Sequence, residues 1–198
     1  YGRYLLQNRP NAKIGVLYQN DDVGKSYIKG LREALGPKAG MIVKEVSHEV
    51  SDPTVDSQIL QLQASGADTL LVFTSNKAGA QAIRKVGSIG WKPYFVIAYV
   101  SSSITGVLTP AGLENSVGLI STSWFKTPSD PRWANDKAMQ EYLAFFAKYL
   151  PADNAGDTTS VYTYMGAQLA ALALERCGDN LTRENFLKQI QNFKDVEL

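Results

Sequence analysis

The chain has 198 residues, 44% hydrophobic and 20% charged, so at roughly 100–200 residues per domain one large domain is expected, and disordered, collagenous or disulfide-scaffold chains are excluded. Twenty Lys and Arg against nineteen Asp and Glu leave a net charge of +1, which argues against a basic nucleic-acid grip and an acidic solvating tail. A single cysteine, Cys177, excludes an intrachain disulfide, and the lone His48 excludes a His-rich metal site.

Helical and strand periods alternate along the chain. Tyr4, Leu5 and Leu6 predict a short amphipathic helix ending near Pro10. Ile14-Gly-Val-Leu-Tyr18 is a continuous apolar run of the kind buried on both faces of a sheet. After the polar stretch Gln19-Asn-Asp-Asp22, the residues Val23, Tyr27, Leu31 and Leu35 mark one side of a helix that Gly36-Pro37 stops. A second strand is expected from Met41 to His48. Asp52 and Pro53 read as the cap and first turn of a helix running through Val55, Ile59 and Leu62 to Gly66. Thr69 to Phe73 is the third strand, and Ser75 and Asn76 cap a helix that ends at Gly90. Tyr94 to Tyr99 is a fourth strand and Gly118 to Trp124 a fifth.

Strands separated by helices of this length form βαβ units, so the expected fold is α/β: a doubly wound, mostly parallel sheet in the order 2-1-3-4-5 with helices on both faces. Beyond Pro128 the pattern becomes helical, with long helices over Trp133 to Leu150 and Thr158 to Cys177, and a last one capped by Thr182 with Asn185 in place of the usual Glu. Val161 to Leu174 is the most apolar stretch. It falls short of the about 20 residues a membrane span needs. The chain starts at Tyr1, so a leader peptide would lie outside it. No repeat or linker divides the chain, and a single domain over 1–198 is expected.

In an open parallel sheet ligands bind beyond the carboxyl ends of the strands, which selects the loops at Gln19 to Gly24, Thr74 to Lys77, Tyr99 to Ser103 and Trp124 to Lys126. Gly24-Lys25-Ser26 ends like a phosphate loop, yet Gln19 stands where the first glycine belongs, and Asp21 and Asp22 would repel phosphate. A receiver-type Mg²⁺ site would need an aspartate after the third strand, where this chain has Thr74, Ser75 and Asn76. Hydrolysis lacks a nucleophile elbow, and His48 sits on a strand. No catalytic set, metal site or cofactor site assembles. A polar and aromatic rim remains, which suits a binding site.

Four segments carry a resemblance. Lys13-Ile-Gly-Val-Leu-Tyr-Gln-Asn-Asp-Asp-Val-Gly-Lys25, Ser88-Ile-Gly-Trp-Lys92, Leu108-Thr-Pro-Ala-Gly-Leu-Glu114 and Cys177-Gly-Asp-Asn-Leu-Thr-Arg-Glu-Asn185 resemble the periplasmic branched-chain amino-acid-binding proteins of ABC transporters. The resemblance implies one ligand-binding lobe of a two-lobe protein, with the first lobe and the hinge-crossing terminal segment outside this chain. It implies a periplasmic, exported protein that captures a small solute by closure of two lobes and delivers it to a membrane permease, with no enzymatic step. A ligand-sensing domain of a membrane receptor is the alternative.

Carried over from that family, the solute contacts fall at Asp21, Asp22 and Val23 after the first strand and at Ser75 and Asn76 after the third. Tyr99 and Ser101 follow the fourth strand, and Trp124 follows the fifth. Amino-acid-binding members place an acid after the fourth strand to pair with the ligand's ammonium group, and here that residue is Tyr99. A buried ammonium without a carboxylate costs on the order of several kcal/mol. An aromatic or other carboxylate without the amine is therefore expected, with Tyr99 stacking on a ring or donating its hydroxyl. Asp21 or Asp22 substituting for the acid keeps a branched-chain amino acid open. Helix capping is the competing role for Asp21, Asp22 and Asn76, and packing is the competing role for Tyr99 and Trp124.

Overall fold

A computed structural model describes residues 1–153 and 155–196. Helix α1 (Gly2–Asn8) leads into strand β1 (Ile14–Gln19), which is followed by α2 (Asp22–Leu35), β2 (Ile42–His48), α3 (Asp56–Ala64), β3 (Thr69–Phe73), α4 (Asn76–Ser88) and β4 (Tyr94–Ile97). The strands form one parallel sheet in the order β2-β1-β3-β4. Every strand therefore ends on the same edge, which is what makes that edge a site.

The apolar runs form strands because their two alternating sets of side chains meet different helices. Ile14 and Val16 of β1, with Leu71 and Phe73 of β3, pack with Leu5, Leu31 and Leu35. Leu17, Leu70 and Val72 pack on the other face with Ile59, Leu62, Ile83 and Val86. A period of two thus buries consecutive residues, and all five residues of β3 are buried. Gly15 faces the crowded second side, where a Cβ would lie 3.0 Å from that of Ala67 and 3.2 Å from Leu62 Cδ2.

Two expected boundaries move. The fifth strand reduces to a single parallel bridge between Ile120 and Val96, beyond β4 where the order 2-1-3-4-5 put it. Ile120 N–H donates to the Phe95 carbonyl at 3.0 Å, and the Ile120 carbonyl accepts from Ile97 N–H at 2.9 Å. The Ser121 hydroxyl then takes the Ile97 carbonyl at 3.0 Å, occupying the acceptor a longer ladder would use next. Helix α3 begins at Asp56 rather than at Pro53. The Asp52 carboxylate is used to close a turn, accepting from Glu49 N–H at 2.9 Å, and Thr54 Oγ1 accepts from Asp56 N–H at 3.2 Å.

Beyond β4 a one-turn helix, α5 (Thr109–Ala111), precedes α6 (Lys137–Tyr149), α7 (Thr158–Cys177) and α8 (Arg183–Gln191). The chain divides into two compact units, Tyr1–Ser123 and Trp124–Leu198, and the sheet lies in the first. In the second unit Met139, Tyr142, Phe146 and Val161 form a small core. Helix α6 starts at the Asp136 cap, whose carboxylate accepts from Met139 N–H at 3.0 Å and pairs with Lys126 at 2.6 Å. The preceding Pro131–Trp133 is a separate 3₁₀ turn, so the helix expected from Trp133 opens later. Thr182 caps α8 as expected, accepting from Asn185 N–H at 3.3 Å.

Candidate functional site

The carboxyl edge of the sheet is assembled from the strand ends outward. After β1 the chain turns so tightly into α2 that Gly24 is forced: a Cβ there would collide with the carbonyl oxygen of Gln19. The phosphate-loop ending at Gly24-Lys25-Ser26 is thus a packing feature, and the Ser26 hydroxyl donates back to the Asp22 carbonyl at 2.6 Å. Asp21 caps α2, its Oδ1 accepting from Gly24 N–H at 2.8 Å while Oδ2 accepts from Gln19 Nε2. The Gly24 N–H and the Gln19 amide hold the Asp21 carboxyl below its usual range. Asp21 is committed to the helix. The other amide atom, Gln19 Oε1, is buried without a hydrogen-bond partner among the described residues.

The next strand ends are tied to one another. His48, buried at the end of β2, joins Nε2 to Thr74 Oγ1 at 2.5 Å and Nδ1 to the Glu49 carbonyl at 2.9 Å. Ser101, 0% exposed, donates its hydroxyl to the Thr74 carbonyl. Its Cβ would lie 2.9 Å from a Cβ on Gly79, so α4 packs directly on it. Ser101 therefore lies in the wall beneath the rim. The expectation of a solute contact there gives way to a positioning role, because a buried, hydrogen-bonded hydroxyl has no face to offer.

Above this wall lies a cavity of about 500 Å³. Asp21, Val23, Ser75 and Asn76, each named from the sequence, line it together with Lys77 and Val100. Val23 is 62% exposed, and Ser75 occupies the N-cap position of α4 without making a side-chain cap. Tyr99 opens the 3₁₀ turn Tyr99–Ser101 and is 37% exposed. Its backbone N–H donates to the Tyr1 hydroxyl at 3.1 Å, and the adjacent Val100 is the residue of this turn that lines the cavity. Asp22, in the first turn of α2, lines a second cavity of about 750 Å³ between α1 and α2. Trp124 belongs to the second unit, with its ring edge-on to Phe125 and Tyr162 at centroid distances of 5.0 and 5.6 Å.

The sequence reading did not anticipate the aromatic floor. Tyr27 stacks on Phe73 at 4.6 Å with planes 10° apart, and Tyr1 tilts against both. Burial pushes the Tyr27 phenol up to about 12, so it stays neutral at any physiological pH. Helical and strand spacing had assigned Tyr27 and Phe73 to the core. The signal that could have placed them at the site is their position one turn after Val23 and one residue before Thr74.

The chain matches, over residues 1–198, the family described as periplasmic binding protein. It belongs to that family, in its type I, branched-chain amino-acid-binding branch. Among solved structures it is similar to a substrate-binding periplasmic protein from Ralstonia solanacearum (22% identity, TM-score 0.84, 99% of this chain and 54% of that one). It is also similar to a fatty acid ABC transporter substrate-binding protein from Thermomonospora curvata (23%, 0.80, 98% and 50%). A third is a branched chain amino acid ABC transporter protein from Thermus thermophilus with bound valine (15%, 0.77, 94% and 48%). The chain thus spans about half the length of these structures. The search of curated proteins returns no match. Among the described residues no helix is long and apolar enough to cross a membrane.

Proposed function

We propose that this chain contributes half of the solute-binding cleft of an extracytoplasmic ABC-importer component, and that the solute is a small organic carboxylate without an α-amino group. The observation that carries the reading is the composition of the rim cavity. Its donors are Ser75 at the N-cap of α4 and Asn76 and Lys77 in its first turn, where the helix dipole favours an anion. Its carboxylate, Asp21, is already engaged by Gly24 N–H and the Gln19 amide. With Asp21 serving as the α2 cap, a carboxylate finds the Lys77 cation and the start of α4. The fatty-acid-binding assignment of the Thermomonospora curvata structure supports the same chemistry. The bound valine of the Thermus thermophilus structure keeps a branched-chain amino acid as the second reading, with Asp22 as the acid that would serve it.

Two-lobe closure supplies what this half lacks. An open rim leaves the solute in contact with water, and closing a second lobe over it removes that water and strengthens each polar contact. The bound complex is then handed to a membrane permease outside the cytoplasm, with no bond made or broken. A thermal-shift screen of the full-length protein against benzoate, short fatty acids, leucine and valine tests the reading. A ligand at 100 times its Kd adds about 2.7 kcal/mol of stability. Stabilisation by a carboxylate and none by leucine or valine is expected; the reverse pattern overturns the carboxylate assignment. Lys77→Met in the same protein is expected to weaken the carboxylate at least severalfold, and unchanged affinity removes that cation from the cleft.

A further inference from the structure

His48 is the lone histidine of the chain, and it sits directly behind the rim cavity. It is 4% exposed, and both ring nitrogens are engaged. The Glu49 carbonyl is an acceptor, so Nδ1 carries a hydrogen and donates to it at 2.9 Å. A neutral ring protonated on Nδ1 leaves Nε2 as a bare acceptor, so the Thr74 hydroxyl donates to Nε2. Thr74 is itself buried and lines the cavity. While its proton points at His48, its oxygen has only lone pairs left for the cavity, which suit a carboxylate poorly.

Protonation reverses that polarity. With hydrogens on both ring nitrogens, His48 donates to Thr74 Oγ1, and the hydroxyl proton must turn away from the ring. Among the described residues Thr74 Oγ1 has no hydrogen-bond partner besides His48, so the released proton is available to a guest in the cavity. The surrounding acids already have partners. On β2 itself Glu45 pairs with Arg32 at 2.8 Å, and Lys44 is exposed. Glu49 accepts from Asn20 Nδ2 at 2.6 Å, and Asp52 accepts from Glu49 N–H. β1 places the neutral Gln19 in register with His48, and Asp21 beyond it caps α2. Asp56 at the start of α3 holds Thr54 and Lys85. On α4, Lys77 adds a second cation to the cavity.

We infer that His48 is a positioning residue that couples solute capture to proton uptake: a carboxylate in the rim cavity and a proton on His48 favour each other through the Thr74 hydroxyl. The inference rests on the carboxylate reading above and adds its dependence on pH. The coupling is reciprocal, so acid tightens the carboxylate by the factor by which the carboxylate tightens the proton.

Calorimetric titration of the full-length protein with benzoate and with butyrate tests it, from about pH 5.5 to about pH 8, the range in which histidine ordinarily changes charge and both acids stay ionised. Repeating each titration in buffers of different ionisation enthalpy counts the protons exchanged. Affinity is expected to rise about tenfold toward the acid end, the effect of one hydrogen bond to a charged group, with net proton uptake on binding. His48→Gln and Thr74→Val are each expected to flatten the profile and abolish the uptake, and Thr74→Ser, which keeps the hydroxyl, to retain both. Wild-type affinity that is independent of pH, with no proton exchanged, overturns the inference and leaves the carboxylate reading standing. Uptake that persists undiminished in a folded His48→Gln protein assigns the proton to another group and overturns it equally. If neither acid binds at any pH, the carboxylate reading fails and the inference with it.

Discussion

Gly24 and Asp21 set the geometry of the first loop, and both were visible as residue types before their roles were. A side chain at Gly24 would strike the Gln19 carbonyl, a backbone atom that cannot swing away, so Gly24→Ala is expected to destabilise the protein by about 2 kcal/mol or more in urea unfolding. Wild-type stability in that variant would contradict the packing account. Asp21→Ala removes the α2 cap and is expected to cost about 1 kcal/mol, with Asp21→Asn nearly neutral. The sign with pH follows from the depressed carboxyl: its contribution is present above the ordinary carboxylate range and fades as pH falls through the lowered folded value. The difference between wild type and Asp21→Ala should therefore shrink in acid. Val23, Ser75 and Asn76 were legible at the rim because strand ends alone select those loops. Tyr27 and Phe73 were not, since the spacing that buries a residue does not say whether one edge of its ring also borders a cavity. Ser101 was misplaced for a related reason: a hydroxyl in a rim loop reads the same in sequence whether it faces out or holds the wall.

At the scale of elements, the parallel sheet was legible because long apolar runs alternate with helical periods of crossover length. The fifth strand was over-read. Its side chains favour a strand, but the Ser121 hydroxyl competes for the Ile97 carbonyl and ends the pairing after one bridge. The α3 start was misread because Asp52 and Pro53 have cap and first-turn chemistry, and the structure uses that aspartate for a turn before the helix. Thr74 links three elements: its hydroxyl meets His48 from β2 and its carbonyl receives Ser101 from beyond β4. Thr74→Val keeps the shape and strands the buried His48 ring nitrogen, an expected loss of about 1–3 kcal/mol by chemical denaturation. Thr74→Ser restores the hydroxyl and is expected to recover most of it. Equal stability of the valine and serine variants would show that the bond contributes nothing.

Over the whole molecule, the chain divides into two compact units between Ser123 and Trp124, where the sequence has no glycine- or proline-rich linker. The second unit buries little of its apolar surface. Of the twenty residues of α7 only Val161, Ala173 and Cys177 are buried, and Leu174 is 50% exposed. Surface of this kind seeks a partner. Expressed by itself, the 198-residue chain is expected to self-associate as its concentration rises, and light scattering that stays at 21.7 kDa throughout would contradict this. The laced ends of β2, β3 and β4 carry a different consequence. A rim whose backbone is already fastened loses little chain entropy when a guest arrives, so the heat-capacity change of capture will track dehydration of the guest, without the larger signature of loops that fold around it.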